Sequence, residues 1–168
     1  MNKRLHRFFT DDHRRIEAIL EKAMADPDHI DQELYNEFRI GLLTHIKMEE
    51  KILFVAAQEA NGGEPLPIQA QLRLEHGALT SLVVLPPSAE VVKVIRGVLD
   101  PHDVREEEPG GMYDACENLT KDQTDEILAR LAATTPVPVH PPNPHPKAVA
   151  AARNALKRAG YDYDELAR

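Results

Sequence analysis

The chain has 168 residues and a formal net charge of −8, with acidic and basic side chains interleaved, so it has no basic face of the kind that tracks phosphates, and nucleic acid is not an expected partner. The longest apolar run, Leu82 to Leu85, is far short of the ~20 residues that span a bilayer. Cys116 is the single cysteine, so no internal disulfide is available and a soluble, cytoplasmic protein with no membrane partner is expected.

Apolar residues recur at three- and four-residue spacing and almost nothing alternates at period two, which predicts an all-α fold. A first helix is predicted from about Lys3 to Ala25, ended by Asp26-Pro27-Asp28. The second begins near Ile30 and stops at Asn61-Gly62-Gly63. Pro65-Leu66-Pro67 leads into a third, which ends before Pro86-Pro87. Ser88 is placed to cap a fourth. Pro101 cannot donate to the Gly97 carbonyl, so this helix is expected to kink or restart with Asp100 as its cap. Pro109-Gly110-Gly111 then ends it. Four such helices joined by short turns are the ingredients of an antiparallel bundle.

Thr120-Lys121-Asp122-Gln123 has the form of a capping box and predicts a short fifth helix to about Ala133. Thr134 to Pro146 holds six prolines and is expected to run extended rather than packed. A last helix, Lys147 to Ala159, closes at Gly160. Its Ala-rich face can dock on the bundle, on a second copy or on a protein partner, and the sequence leaves these open. The chain thus divides into a bundle, 1–133, and a connector with its C-terminal helix, 134–168.

The core-facing seams hold residues that ordinary cores avoid. The second helix reads Leu34, Phe38, Gly41, His45, Glu49, Ile52, Ala56, and the third Ile68, Leu72, His76, Leu79, Val83. The fourth reads Val91, Ile95, Val98, His102, Glu106 and repeats the His-x-x-x-Glu spacing of the second. The first reads Leu5, Phe9, Ile16, Leu20, with His13 at the edge of the stripe. A buried, unpartnered carboxylate or imidazole is costly, so these six side chains must satisfy one another or a shared cation. Mixed imidazole and carboxylate donors suit iron, zinc or manganese, and six are too many for one tetrahedral zinc, whereas two bridged ions fit the number. The plain alternative is a metal-free network of His and Glu hydrogen bonds.

Asp12-His13-Arg14-Arg15-Ile16, His45-Ile46-Lys47-Met48-Glu49-Glu50, Glu75-His76-Gly77-Ala78-Leu79 and His102-Asp103-Val104-Arg105-Glu106-Glu107 resemble the hemerythrin-like, or HHE cation-binding, domains over roughly the first 120 residues. The resemblance implies an up-down-up-down four-helix bundle with a non-haem di-iron centre held by His13, His45, Glu49, His76, His102 and Glu106, in which the two glutamates bridge. The oxygen-carrying hemerythrins have a further histidine one turn after that of the third helix, where this chain has Thr80. The ligand set is closer to that of the bacterial proteins that repair iron centres, with more open coordination positions than the oxygen carriers have.

Glu50, Glu75 and Glu107 adjoin these residues in sequence and can orient them as hydrogen-bond acceptors, or can simply be solvated. Tyr113 can donate a hydrogen bond to a bound oxygen species. His6 lies two turns from His13, roughly 10 Å along the axis, and is expected to cap the bundle end. His29, His140 and His145 are expected at the surface, and Cys116 as a packed side chain without redox chemistry. Three functions stay open. The first is a di-iron protein that binds O2, NO or peroxide for sensing, detoxification or oxidative chemistry, with zinc or manganese able to substitute. The second is a module that senses or donates iron through a protein partner, and the third a metal-free helical interaction bundle.

Overall fold

The structure, a computed structural model, describes residues 2–168 and is all-helical, with no strand among the described residues. Helix α1 spans Arg4–Ala23 and buries Leu5, Phe9, His13, Ile16 and Leu20 along one stripe. Helix α2 spans Gln32–Met48, and the Asp31 carboxylate caps it by accepting from Leu34 N–H at 3.0 Å.

The second seam departs from its prediction at one place. Glu49–Leu53 forms a π-helical turn between α2 and α3 (Phe54–Ala60). Such a turn inserts an extra residue into the helical repeat. Beyond Glu49 the buried stripe therefore widens by one position, with Leu53 and Ala57 enclosed and Ile52 only half-buried, while Ala56 is buried as expected.

Helix α4 spans Gln69–Leu82 and α5 spans Ala89–Glu107, capped by Ser88 Oγ, which accepts from Val91 N–H at 3.0 Å. The predicted restart does not occur, because α5 runs unbroken through Pro101 and Asp100 is an interior residue. The missing donor at Pro101 frees only the carbonyl of Gly97, and the packing of both helix ends outweighs that loss. Helix α6, Met112–Leu119, was not foreseen. Thr120 closes it by donating from Oγ1 to the Cys116 carbonyl at 2.8 Å, so the expected capping box does not form and α7 (Thr124–Ala132) starts without a side-chain cap.

The connector is extended but not free. Val137 N–H donates to Thr44 Oγ1, and Asn143 N–H to the Val84 carbonyl. It delivers α8 (Pro146–Arg158) onto α4, and α9 (Tyr163–Ala167) onto α5. Of the three docking surfaces open to the last helix, the chain's own helices take it: Ala152, Ala155 and Leu156 join the same buried cluster as Leu20, Phe38, Leu79 and Val98. Leu166 lies against Gly97, where an added Cβ would come within 2.7 Å of its Cδ2.

A second apolar cluster gathers Leu5, Phe9, Leu53, Phe54, Leu72, Met112, Cys116, Ile127 and Leu131. Between the two clusters, α1, α2, α4 and α5 each contribute polar residues to one buried layer. Passing along the chain, α1 and α4 cross this layer from the second cluster to the first, α2 crosses it from the first to the second, and α5 enters it from the first, with α6 following in the second.

Candidate metal centre

The layer holds His13, His45, Glu49, His76, His102 and Glu106, all buried, with both glutamates fully enclosed. They form two groups whose donor atoms lie within 4.8 Å of one another, each able to hold a metal ion: His13, His45, Glu49 and Glu106, and His76, His102, Glu49 and Glu106. Both groups contain both glutamates. Glu49 directs Oε1 to His45 Nε2 at 3.1 Å and Oε2 to His76 Nε2 at 3.0 Å. Glu106 directs Oε2 to His13 Nε2 at 3.3 Å and Oε1 to His102 Nε2 at 3.1 Å. Thr80 is exposed and contributes nothing to the layer.

The four imidazoles are held from behind by four carboxylates. Each Nδ1 meets a carboxylate oxygen: His45 with Asp12 at 2.8 Å, His76 with Glu50 at 2.7 Å, His102 with Glu75 at 2.8 Å and His13 with Glu107 at 2.6 Å. Every imidazole therefore turns Nε2 inward, the orientation that a metal-binding histidine takes when its other nitrogen is pinned. Asp12 was missed as an acceptor. Its signal was its position next to His13, the same signal that singled out Glu50, Glu75 and Glu107.

The inner polar atoms satisfy one another only in part. Glu49 Oε2, His76 Nε2 and Glu106 Oε1 are buried without a hydrogen-bond partner, although they lie close together, and such atoms are costly unless a cation or donor serves them. Burial disfavours the charged imidazolium, but Glu106 and Glu107 outweigh it and push His13 up to about 10. Burial is likewise outweighed at His76, where Glu49 and Glu50 push it up to about 9. The layer thus draws in positive charge, and in the metal-free chain protons supply it.

Tyr113, from α6, reaches the layer from the side of the second cluster, with Phe9 stacked on its ring at 5.2 Å. Asp103 lies on the other side, its Oδ1 3.6 Å from His13 Nε2. Burial pushes Asp103 up to about 6. A cavity of about 380 Å³ opens there, walled by Leu20, Phe38, Leu42 and Leu79 and reaching His13, His45 and His102.

The remaining histidines stay outside. His6 holds the Glu107 carbonyl at 3.0 Å, His29 and His140 are exposed, and His145 caps α8 through Nδ1. Cys116 is fully buried and free, and burial raises its thiol far above the usual range. Comparisons with protein-family models, curated proteins and solved structures found no match. No helix among the described residues is long and apolar enough to cross a membrane.

Proposed function

We propose that this chain is a hemerythrin-like, up-down-up-down four-helix bundle that holds two bridged non-haem iron ions and binds O2, NO or peroxide. The observation that carries the reading is the sharing of both glutamates, one oxygen of each serving either histidine pair. That arrangement is what bridging carboxylates require, and a single-ion site has no use for it. The alternating direction from which α1, α2, α4 and α5 enter the layer supports the up-down topology.

Four mixed nitrogen and oxygen donors per subsite suit iron, zinc or manganese, and iron is the reading taken because a small-molecule cavity reaches the layer and chemistry with O2, NO or peroxide calls for a redox metal. When bound, an iron pair supplies electron exchange with O2, NO or peroxide. The chain's own part is to fix each Nε2 through its carboxylate, to exclude bulk water with the two apolar clusters, and to admit small molecules past Leu42 and Leu79.

Anaerobic loading with ferrous iron, followed by metal analysis and titration with NO, O2 and peroxide, tests the reading. Two irons per chain and a spectrum that changes with at least one of the three are expected. Stoichiometric zinc in preference to iron, one metal per chain at saturation, or no spectral response to any of the three would overturn it.

A further inference from the structure

The hydroxyl of Tyr113 lies 2.5 Å from Glu49 Oε1, 2.9 Å from Glu106 Oε2, 3.1 Å from His13 Nε2 and 3.2 Å from His45 Nε2. Those four atoms are the inward donors of one subsite. A phenol donates one hydrogen bond and can accept from the two imidazole N–H groups, so hydrogen bonding serves only one of the two carboxylate oxygens beside it and leaves the other facing the phenol oxygen. Metal bonds of about 2.0–2.2 Å place neighbouring donors of an octahedron roughly 3 Å apart. The four distances from Tyr113 scatter around that spacing.

The local sequence is built to deliver this oxygen. After Glu107 the chain turns sharply at Gly110, whose φ is 78°, and Gly111 fits only without a side chain, since a Cβ would meet the Arg105 carbonyl oxygen at 2.6 Å. The turn folds α6 back over the layer, and the Asp114 carboxylate secures it by accepting from Gly110 N–H at 3.0 Å. Phe9 then fixes the ring plane. Among the described residues no hydroxyl stands in the equivalent place beside His76 and His102, where Glu49 Oε2 and Glu106 Oε1 are left without partners.

We propose that Tyr113 is itself a ligand, binding through its phenolate oxygen the metal held by His13, His45, Glu49 and Glu106. This rests on the metal-binding reading above and goes beyond it, because it makes the two subsites unequal: five protein donors in one and four in the other. As metal binds, the phenolic O–H bond breaks, its proton passes to solvent and an oxygen–metal bond forms, with no change of oxidation state. The subsite of His76 and His102 keeps more open positions for NO or another small neutral molecule.

Resonance Raman and visible absorption of the oxidised, iron-loaded protein test the assignment. A phenolate-to-ferric charge-transfer band is expected, with enhanced ring vibrations that shift when the protein is grown on ring-deuterated tyrosine. Tyr113→Phe should keep two irons per chain and lose both signals, whereas Tyr35→Phe and Tyr163→Phe, away from the layer, should retain them. Two bound irons without tyrosinate vibrations in the wild type would overturn the ligand assignment and leave the metal reading standing, as would vibrations that survive in Tyr113→Phe. Wild-type protein that takes up no iron would overturn both. If Tyr113→Phe fails to fold, the wild-type ring vibrations and the two control variants still decide the matter.

Discussion

Glu107 meets His13 Nδ1 at 2.6 Å, and this contact between α5 and α1 closes a ring. Asp12 of α1 holds His45 of α2, Glu50 after α2 holds His76 of α4, Glu75 of α4 holds His102 of α5, and Glu107 of α5 returns to His13. Each carboxylate sits next to one inward residue in sequence and serves the histidine of the next helix. The geometry is that of an α-helix: consecutive residues differ by about 100° around the axis, so the neighbour of an inward residue points to the adjacent helix.

The ring leads to a graded prediction. Glu107→Ala removes the acceptor behind His13, and loss of such an outer partner costs typically 10–100-fold in metal affinity. Glu107→Gln keeps an amide oxygen that still accepts from Nδ1–H, so its loss should be clearly smaller. Competition with a chromophoric chelator measures both. Equal affinity for wild type and Glu107→Ala would mean that the ring does not orient the imidazoles.

Metal uptake should depend steeply on pH. In the metal-free chain His13 is held up to about 10 and His76 up to about 9, so both carry protons at neutral pH that a metal must displace. Apparent affinity should therefore rise as pH rises from neutrality towards these values and fall on acidification. The same chelator competition, run across that range with the loading state held reversible, checks the sign. Affinity independent of pH would contradict it.

The histidine and glutamate seams are legible in sequence because a regular 3.6-residue repeat places His45, Glu49, His102 and Glu106 by counting alone. Counting fails where the repeat changes. The π-helical turn at Glu49–Leu53 widens the buried stripe to take in Leu53, and nothing in the run Glu49-Glu50-Lys51-Ile52-Leu53 announces an extra residue. Helix α6 is short and follows Gly110-Gly111, which read as an ending. In sequence Tyr113 reads only as a donor to a bound oxygen species because its distance to Glu49 is a property of that return, and the pairing of Asp12 with His45 needs the relative placement of two helices. The proline-rich segment misleads for another reason: composition reports its stiffness, while Thr44 and Val84 decide that it packs.

The tail touches the layer as well as the core. Tyr161 donates to Glu75 Oε1 at 2.8 Å, beside Arg105 at 2.6 Å, while Glu75 Oε2 meets His102 Nδ1. Tyr161→Phe should leave the fold intact and weaken metal retention modestly, since Arg105 still holds Glu75. Leu156→Ala should instead cost about 2–5 kcal/mol of stability, the range for emptying a buried leucine, with little direct effect on the metal. Denaturant melts and chelator competition on the two variants separate the roles, and a Tyr161→Phe protein that loses stability but not metal would reverse the assignment.

The bridging role of Glu49 makes the most discriminating test, because it predicts an energetic coupling as well as a loss. If the layer binds metal in the native state and not in the unfolded one, binding stabilises the fold, and chelation should lower the melting temperature of the wild type. Glu49→Ala removes one oxygen from each subsite, so in iron it should lose both the bridged spectrum and much of this stabilisation. In chelator the same substitution removes a fully enclosed carboxylate whose Oε2 has no hydrogen-bond partner, and its cost should be far smaller. A metal-free hydrogen-bond network predicts the opposite pattern. There the wild type ignores chelator and Glu49→Ala carries the same penalty in both conditions, because His45 and Tyr113 lose the Glu49 Oε1 contacts at 3.1 and 2.5 Å whether or not metal is supplied. Four thermal melts, wild type and Glu49→Ala with iron and with chelator, give the coupling directly as a double difference. A double difference indistinguishable from zero would remove Glu49 from the bridge.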